Sequence, residues 1–242
     1  MTDSMLEYRD NAEAYETGER WRPDEMLMLA RAGEIASQWL DQMKDASCLD
    51  LCCGTGLSMA RLVNHPNVSH VVGVDISRPY IEFAKRVYRS SRVIPTFIVA
   101  DAIEVTLPRT HWDLVMLASA YHHIEDERKC SFLSRVRTLL APHGLIVMAE
   151  NILPFYPESD PSRAEYCCAV RRFYDAVLST ARSHHPNLPS EVEGLIARVA
   201  KHGFDGDYEY KVHLDILLQH LDSAGLVEVS QRERVWPGNQ AI

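Results

Sequence analysis

Cys48-Leu-Asp-Leu-Cys-Cys-Gly-Thr-Gly56 is the stretch around which the chain is organised. An apolar run reaches an acid, Asp50. Small residues then lead through Gly54-Thr55-Gly56 into Leu57-Ser-Met-Ala-Arg-Leu62, which has the pattern of a helix start. A strand, a tight glycine-containing turn and a helix N-terminus together form a ligand cradle. Glycine lets the backbone turn sharply and come close to a ligand, and the first N–H groups of the helix stay free to face it. A glycine-rich loop alone is weak evidence; this one gains weight from the segments that follow it.

His70-Val-Val-Gly-Val-Asp75 is a second buried-type strand ending in an acid, 25 residues after Asp50. An acid at that place can accept both hydroxyls of a ribose. Thr96-Phe-Ile-Val-Ala-Asp101-Ala102 reads as a third strand with an acid at its end, Trp112-Asp-Leu-Val-Met-Leu117 as a fourth and Gly144-Leu-Ile-Val-Met-Ala149 as a fifth. Helical patterns fall between them at about 57–65, 78–90 and 125–140. Ser77 and Pro79 mark the start of the second helix, and Pro142-His-Gly144 turns into the fifth strand. Such alternation predicts an α/β fold with a mostly parallel, Rossmann-like sheet and right-handed crossovers. Ligands bind beyond the carboxyl ends of the strands in such sheets, which places Asp50, Asp75, Asp101, Ser119 and Asn151 around one crevice. The G-x-G-x-x-G of a dinucleotide-binding dehydrogenase is not supplied by this loop.

The 242 residues carry a net charge of −9 and a pI near 5.6. That balance argues against a nucleic-acid partner, which selects a basic face; the small clusters Lys85-Arg86 to Arg92 and Arg171-Arg172 read as solvated helix faces. No run approaches the roughly 18 apolar residues of a membrane span, and the polar Met1-Thr-Asp-Ser shows no secretory signal. The six cysteines have no C-x-x-C spacing and include two adjacent pairs, so they read as reduced thiols packed as small hydrophobes. A cytoplasmic monomer or homodimer is the default expectation.

The flanks are helical. Residues 1–44 carry Tyr8, Tyr15 and Trp21, with Pro23 able to start a helix. They form either a helix packed across the sheet or a lid over the crevice. Residues 152–211, punctuated by Pro154, Pro157, Pro161, Pro186 and Pro189, form an insertion with helices near 162–184 and 190–203. Its Val170, Phe173, Tyr174 and Val177 fit core packing or the wall of a substrate pocket, and a cap is the favoured reading. From His213 a last helix runs to Ala224-Gly225. Leu226–Val235 alternates as a half-exposed strand, and Gln240-Ala-Ile242 leaves any closing strand short or absent. The whole is expected to be one domain, 1–242, with a lid (1–44) and a cap (152–211).

These motifs resemble the class I S-adenosylmethionine (SAM)-dependent methyltransferases, well over residues 45 to 151 and loosely from 212 onward. One departure stands in the loop. The family pattern Asp/Glu-x-Gly-x-Gly-x-Gly has Cys52 here at its first glycine, and a Cβ disfavours positive φ. The resemblance implies SAM as cofactor. It assigns the backbone from Leu51 through Cys52 and Gly54 to Gly56 to the methionine part, with Asp50 steadying the turn. Asp75 would take the ribose hydroxyls and Ile76 the adenine face. Asp101 would take the adenine amino group with Ala102 beside it, Leu117 to Ser119 would line the other side, and Tyr15 would close over the methionine end. For Asp75 and Asp101 the plain alternative is a helix cap or a loop charge.

SAM is a sulfonium whose methyl group leaves by in-line displacement, so the protein must align a nucleophile and exclude water. No metal is required, and His122-His123, as chain neighbours, do not make a ligand pair. Either histidine can serve as a base or simply fix a loop; Tyr121 can orient an acceptor and Asn151 an amine. Methyl transfer to a small metabolite is the leading expectation. SAM cyclisation to azetidine-2-carboxylate with release of methylthioadenosine is a second reading, and a non-catalytic SAM-binding protein a third.

Overall fold

A computed structural model of the chain describes residues 11–159, 163–226, 228–235 and 240–241. Tyr8 and the rest of the chain before Asn11 lie outside these residues. The described elements are, in order, α1 (Ala12–Arg20), α2 (Pro23–Leu40), β1 (Ala46–Leu51), α3 (Ala60–Asn64), β2 (Val68–Asp75), α4 (Arg78–Tyr88), β3 (Thr96–Val99), β4 (Trp112–Ala118), a 3₁₀ turn (Tyr121–His123), α5 (Asp126–Leu139), β5 (Leu140–Asn151), α6 (Ala164–His184), α7 (Ser190–Asp205), α8 (Leu214–Ser223) and β6 (Gln240–Ala241).

The strands lie in the order β3-β2-β1-β4-β5-β6. β1 to β5 are parallel and β6 is antiparallel to β5. The chain steps outward from β1 to β3, then crosses to the other side of β1 for β4. That reversal opens a crevice at the carboxyl ends of β1 and β4. The central strands are buried on both faces and show the period of two directly. Leu49, Leu51, Val115 and Leu117 join one apolar cluster with Phe132 of α5 and Phe173 of α6; Cys48, Leu114 and Met116 join the other with Met28 of α2, Leu62 of α3 and Ile81 of α4.

The helices start where the sequence marks them. Pro23 opens α2, and Ser77 caps α4 by accepting from the Tyr80 N–H, with Pro79 in the first turn. The turn expected at Pro142-His-Gly144 is a break in register inside β5: Trp112 faces Leu140, but Leu114 faces Leu145. Gly144 stands where a Cβ would meet the Trp112 carbonyl oxygen at 2.7 Å, so only glycine admits the extra residues there.

Three expectations are revised. Among the described residues the N-terminal flank forms two helices, and α2 belongs to the core: Met28, Ala32, Ala36 and Leu40 are fully buried. In the insertion, α6 also buries Ala169, Val170, Phe173 and Val177. Residues 228–235 form no named strand, although their sequence alternates. A strand needs a ladder partner as well as a pattern, and this mostly exposed segment is instead fastened by a side chain, Glu233, to Arg31 of α2 (2.7 and 2.8 Å). No described helix is long and apolar enough to cross a membrane. All six cysteines are free thiols.

Candidate active site

A cavity of about 510 Å³ opens at the carboxyl ends of the strands, within the size range of small-molecule sites. Its floor is the loop after β1. Cys52 adopts φ 57°, Gly54 54° and Gly56 87°, so the loop turns through three left-handed residues, one of which carries a Cβ. Cys52 therefore takes the conformation that its side chain disfavours, as does Ser119 (φ 50°) at the end of β4. Asp75, at the end of β2, fastens this floor: one carboxylate oxygen accepts the Gly54 N–H (2.8 Å), the other the Ser77 N–H (2.7 Å).

Tyr15, Cys52, Gly54, Asp75, Ile76, Asp101, Ala102, Ser119, His122 and Asn151 all line the cavity. Asp50, Leu51, Gly56, Leu117 and Tyr121 are not among the lining residues. Asp50 lies beneath the loop and accepts from Ser58 Oγ (2.5 Å); burial pushes its carboxyl up to about 7, with the Ser58 bond opposing. Tyr121 turns its hydroxyl to His220 Nδ1 on α8. Asp101 accepts the Ile103 N–H (2.8 Å) and pairs with Arg128 (2.8 Å).

The upper walls come from the flanks. Tyr15 of α1 stacks on Tyr80 of α4 (4.9 Å between rings), and Glu16 takes the Thr55 hydroxyl (2.7 Å). At the junction of α1 and α2, Arg22 binds Glu19 (2.9 Å), Asp24 (3.2 Å) and Glu25 (3.3 Å). Burial raises Glu19 to about 7 and lifts Asp24 as well, because one guanidinium cannot neutralise three carboxylates. Glu25 reaches the Ser119 hydroxyl and accepts from Asn151 Nδ2 (3.2 Å), joining α2 to the ends of β4 and β5.

Opposite these lies a histidine cluster. Glu150 of β5 is fully buried and gathers the 3₁₀ turn: it accepts the Tyr121 N–H (2.8 Å) and holds His122 Nδ1. Burial raises Glu150, and burial, then Lys211 and His123, push His122 well below the usual histidine range. The second nitrogen of His122 faces Glu209 (3.8 Å), as does His123 Nδ1 (3.8 Å). Burial would raise Glu209, but Lys211 and the two histidines hold it down to about 2. Glu209 also pairs with Lys211 and accepts the Tyr174 hydroxyl (3.2 Å).

The sequence pattern had not singled out Glu25, Arg22, Glu209 or Lys211, whereas Tyr174, read as core or pocket wall, does line the cavity. Glu25 sits in a first helical turn after Pro23, where an acid is ordinary. Tyr208-Glu-Tyr-Lys-Val212 does alternate in polarity, yet without an acid at a strand end nothing ties it to the crevice.

A methyltransferase-domain family profile matches residues 48–144. The chain is 33% identical over 106 residues to an uncharacterized methyltransferase of Mycobacterium tuberculosis, a match covering 44% of this chain and 51% of that protein. It is 28% identical over 167 residues to the demethylmenaquinone methyltransferase of Thermus thermophilus, covering 66% of this chain and 75% of that one. The chain spans about half the length of the first curated relatives it matches. Among solved structures, the YcgJ protein of Bacillus subtilis shares the fold, with a TM-score of 0.54 at 16% identity over 81% of this chain and 68% of that one.

Proposed function

We propose that this chain is a class I SAM-dependent methyltransferase that transfers a methyl group from SAM to a small-molecule acceptor. The observation that carries the reading is Asp75. Its carboxylate lines the cavity at the end of β2 and is fixed there by the Gly54 and Ser77 N–H groups, at the place where an acid takes ribose hydroxyls in such sheets. The left-handed loop at Cys52 to Gly56 brings backbone close to the same space. Asp101, Ala102 and Ile76 line the adenine end; Tyr15, Ser119, Asn151 and the Glu25 carboxylate line the methionine end. The acid-rich lining favours a cationic ligand. SAM, when bound, supplies an electrophilic methyl on a sulfonium.

The chain's own residues do the rest. Tyr15 and α1 close one side against water, and the insertion contributes Tyr174, Val199 and Tyr208 to the other. Glu150 fixes the His122 ring, so its second nitrogen stands ready to take a proton from a hydroxyl or amine acceptor. Asn151, anchored by Glu25, orients that acceptor. Relatives such as the demethylmenaquinone methyltransferase and the 27-O-demethylrifamycin SV methyltransferase of Amycolatopsis mediterranei favour a small organic acceptor over a macromolecule. A biosynthetic role in the cytoplasm accords with the acidic charge and free thiols. Residues 1–242 are read as one domain, whether as a monomer or a homodimer.

Calorimetry with S-adenosylhomocysteine tests the cofactor site. Asp75→Ala is expected to weaken binding by roughly 1.5–3 kcal/mol, about 10- to 100-fold; unchanged affinity overturns the assignment. Mass spectrometry of SAM turnover with candidate acceptors should give S-adenosylhomocysteine. Methylthioadenosine would mark ring closure within SAM instead.

A further inference from the structure

The geometry points to a divalent transition-metal site formed by His122, His123 and Glu209, and we propose that the cavity binds such an ion. Each of these side chains offers one ligand atom, and the three atoms lie within 4.8 Å of one another. His122 Nε2 stands 3.8 Å from one Glu209 carboxylate oxygen and His123 Nδ1 3.8 Å from the other, so the carboxylate lies between the two imidazoles. Ligand atoms around a tetrahedral ion with bonds near 2.1 Å stand about 3.4 Å apart, so the three side chains would draw together on the ion. Chain neighbours supply two of the ligands, and only the fold brings in the third, from the end of the insertion.

The site is supported from behind. Glu150 holds His122 Nδ1, the carboxylate–histidine arrangement that fixes a ligand ring with its other nitrogen forward. The Glu209 segment is fastened to the 3₁₀ turn by the Tyr210 N–H on the His122 carbonyl (2.7 Å) and to α5 by Lys129 on the Tyr210 carbonyl (2.6 Å). His123 stacks on Tyr208 (4.6 Å), and its Nδ1 donates to the Tyr208 carbonyl (3.1 Å), a bond that ligation through Nδ1 would replace. Two imidazoles and one carboxylate suit zinc, cobalt or nickel better than magnesium or calcium, which prefer oxygen. Three protein ligands leave the remaining positions open to the cavity.

Lys211 opposes the ion, because its ammonium pairs with the same Glu209 carboxylate. Ion and ammonium therefore compete for one ligand. The ion would also take the His122 lone pair that could otherwise accept a proton, so a loaded site and a basic His122 exclude each other. That last consequence rests on the proposed methyl transfer; metal binding does not.

The test is a titration of the full chain, freed of metal by dialysis against chelator, with cobalt(II) chloride alone and no SAM present. Visible absorption and calorimetry should report one saturable site. His123→Ala and Glu209→Gln should each weaken it at least about tenfold, and Glu150→Gln by about 10- to 100-fold. Lys211→Met should tighten it. Circular dichroism checks folding, and His123, a partly exposed side chain, keeps the test decisive if a buried variant fails to fold. Absence of saturable cobalt binding, or equal affinity in wild type, His123→Ala and Glu209→Gln, overturns the site; unchanged affinity in Lys211→Met overturns the competition. S-adenosylhomocysteine affinity, measured separately, reports on the methyltransferase reading alone.

Discussion

Gly56 and Asp50 show how much of the loop after β1 is set by single residues. Gly56 holds φ 87°, and a Cβ built there would stand 2.6 Å from the Tyr88 ring. The Tyr88 hydroxyl donates to the Gly56 carbonyl (2.5 Å), so the ring cannot retreat without losing that bond. Gly56→Ala is expected to destabilise the fold by more than about 1 kcal/mol, since both backbone strain and a clash are introduced. Urea unfolding measures it, and a midpoint equal to wild type would contradict the geometry. Asp50 gives a pH effect with a definite sign. Its carboxyl is raised from an ordinary value near 3.8 to about 7 by burial. Below the unfolded value both states hold the proton and the full contribution is present; it fades as pH rises to the folded value, where the buried group must ionise. Asp50 thus makes the fold less stable at pH 8 than at pH 5, by up to about 3 kcal/mol at roughly 1.4 kcal/mol per unit over the two units between pH 5 and the folded value. Asp50→Asn should flatten that slope, as read by unfolding at the two pH values; an unchanged slope would place the effect elsewhere, with Glu19 the next candidate.

Among the elements, the short run 208–211 depends most on another element for its position. It has no ladder, and it is held to α5 by one fully buried lysine. Lys129 Nζ binds Asp126 (2.6 Å) and the Tyr210 carbonyl (2.6 Å), with the Tyr121 and Tyr210 rings 5.0 and 5.5 Å away. Burial lowers the Lys129 pKa, but Asp126 and the carbonyl keep the ammonium partnered. Lys129→Met retains the stem and removes the donor, leaving a carbonyl without its partner. The expected cost is roughly 1–3 kcal/mol of stability, with faster hydrogen exchange at residues 208–211. If those amides exchange as in wild type, the lysine is not the clamp. A similar fastening, Arg31 to Glu233, holds residues 228–235, which form no extended strand, against α2.

At the scale of the molecule, ligand entry and water exclusion must use whatever is not core. α2 and α6 bury whole faces against the sheet, so neither can swing as a unit. α1 is different: among its residues only Ala12, Gly18 and Glu19 are buried, and it rests on the cavity rim through Tyr15 and Glu16. Gating is therefore expected of 12–20 and 206–211, the two segments that line the cavity without large apolar faces. Hydrogen exchange with and without S-adenosylhomocysteine should show protection in both, alongside the loop at 52–56. Protection confined to that loop, Asp75 and Asp101 would mean a rigid site that needs no lid.

The sequence by itself determined the alternation of five strands and their helices, because buried parallel strands must be apolar on both faces and helices must start at caps and prolines. It also determined the acids at the strand ends, since topology alone sends every carboxyl end to one crevice. It did not determine the conformation of Cys52, whose left-handed φ is imposed by the closure of the loop onto Asp75. Nor did it reveal that residues 228–235 form no extended strand, because alternation records burial and not pairing. The histidine and asparagine side of the cavity was decided by tertiary structure alone: Glu25 lies 126 residues from Asn151, and Glu150 lies 28 from His122. Glu209 meets two histidines that the chain places more than eighty residues earlier. Local pattern encodes which residues are buried; which buried charges face one another depends on contacts between elements that no local pattern contains.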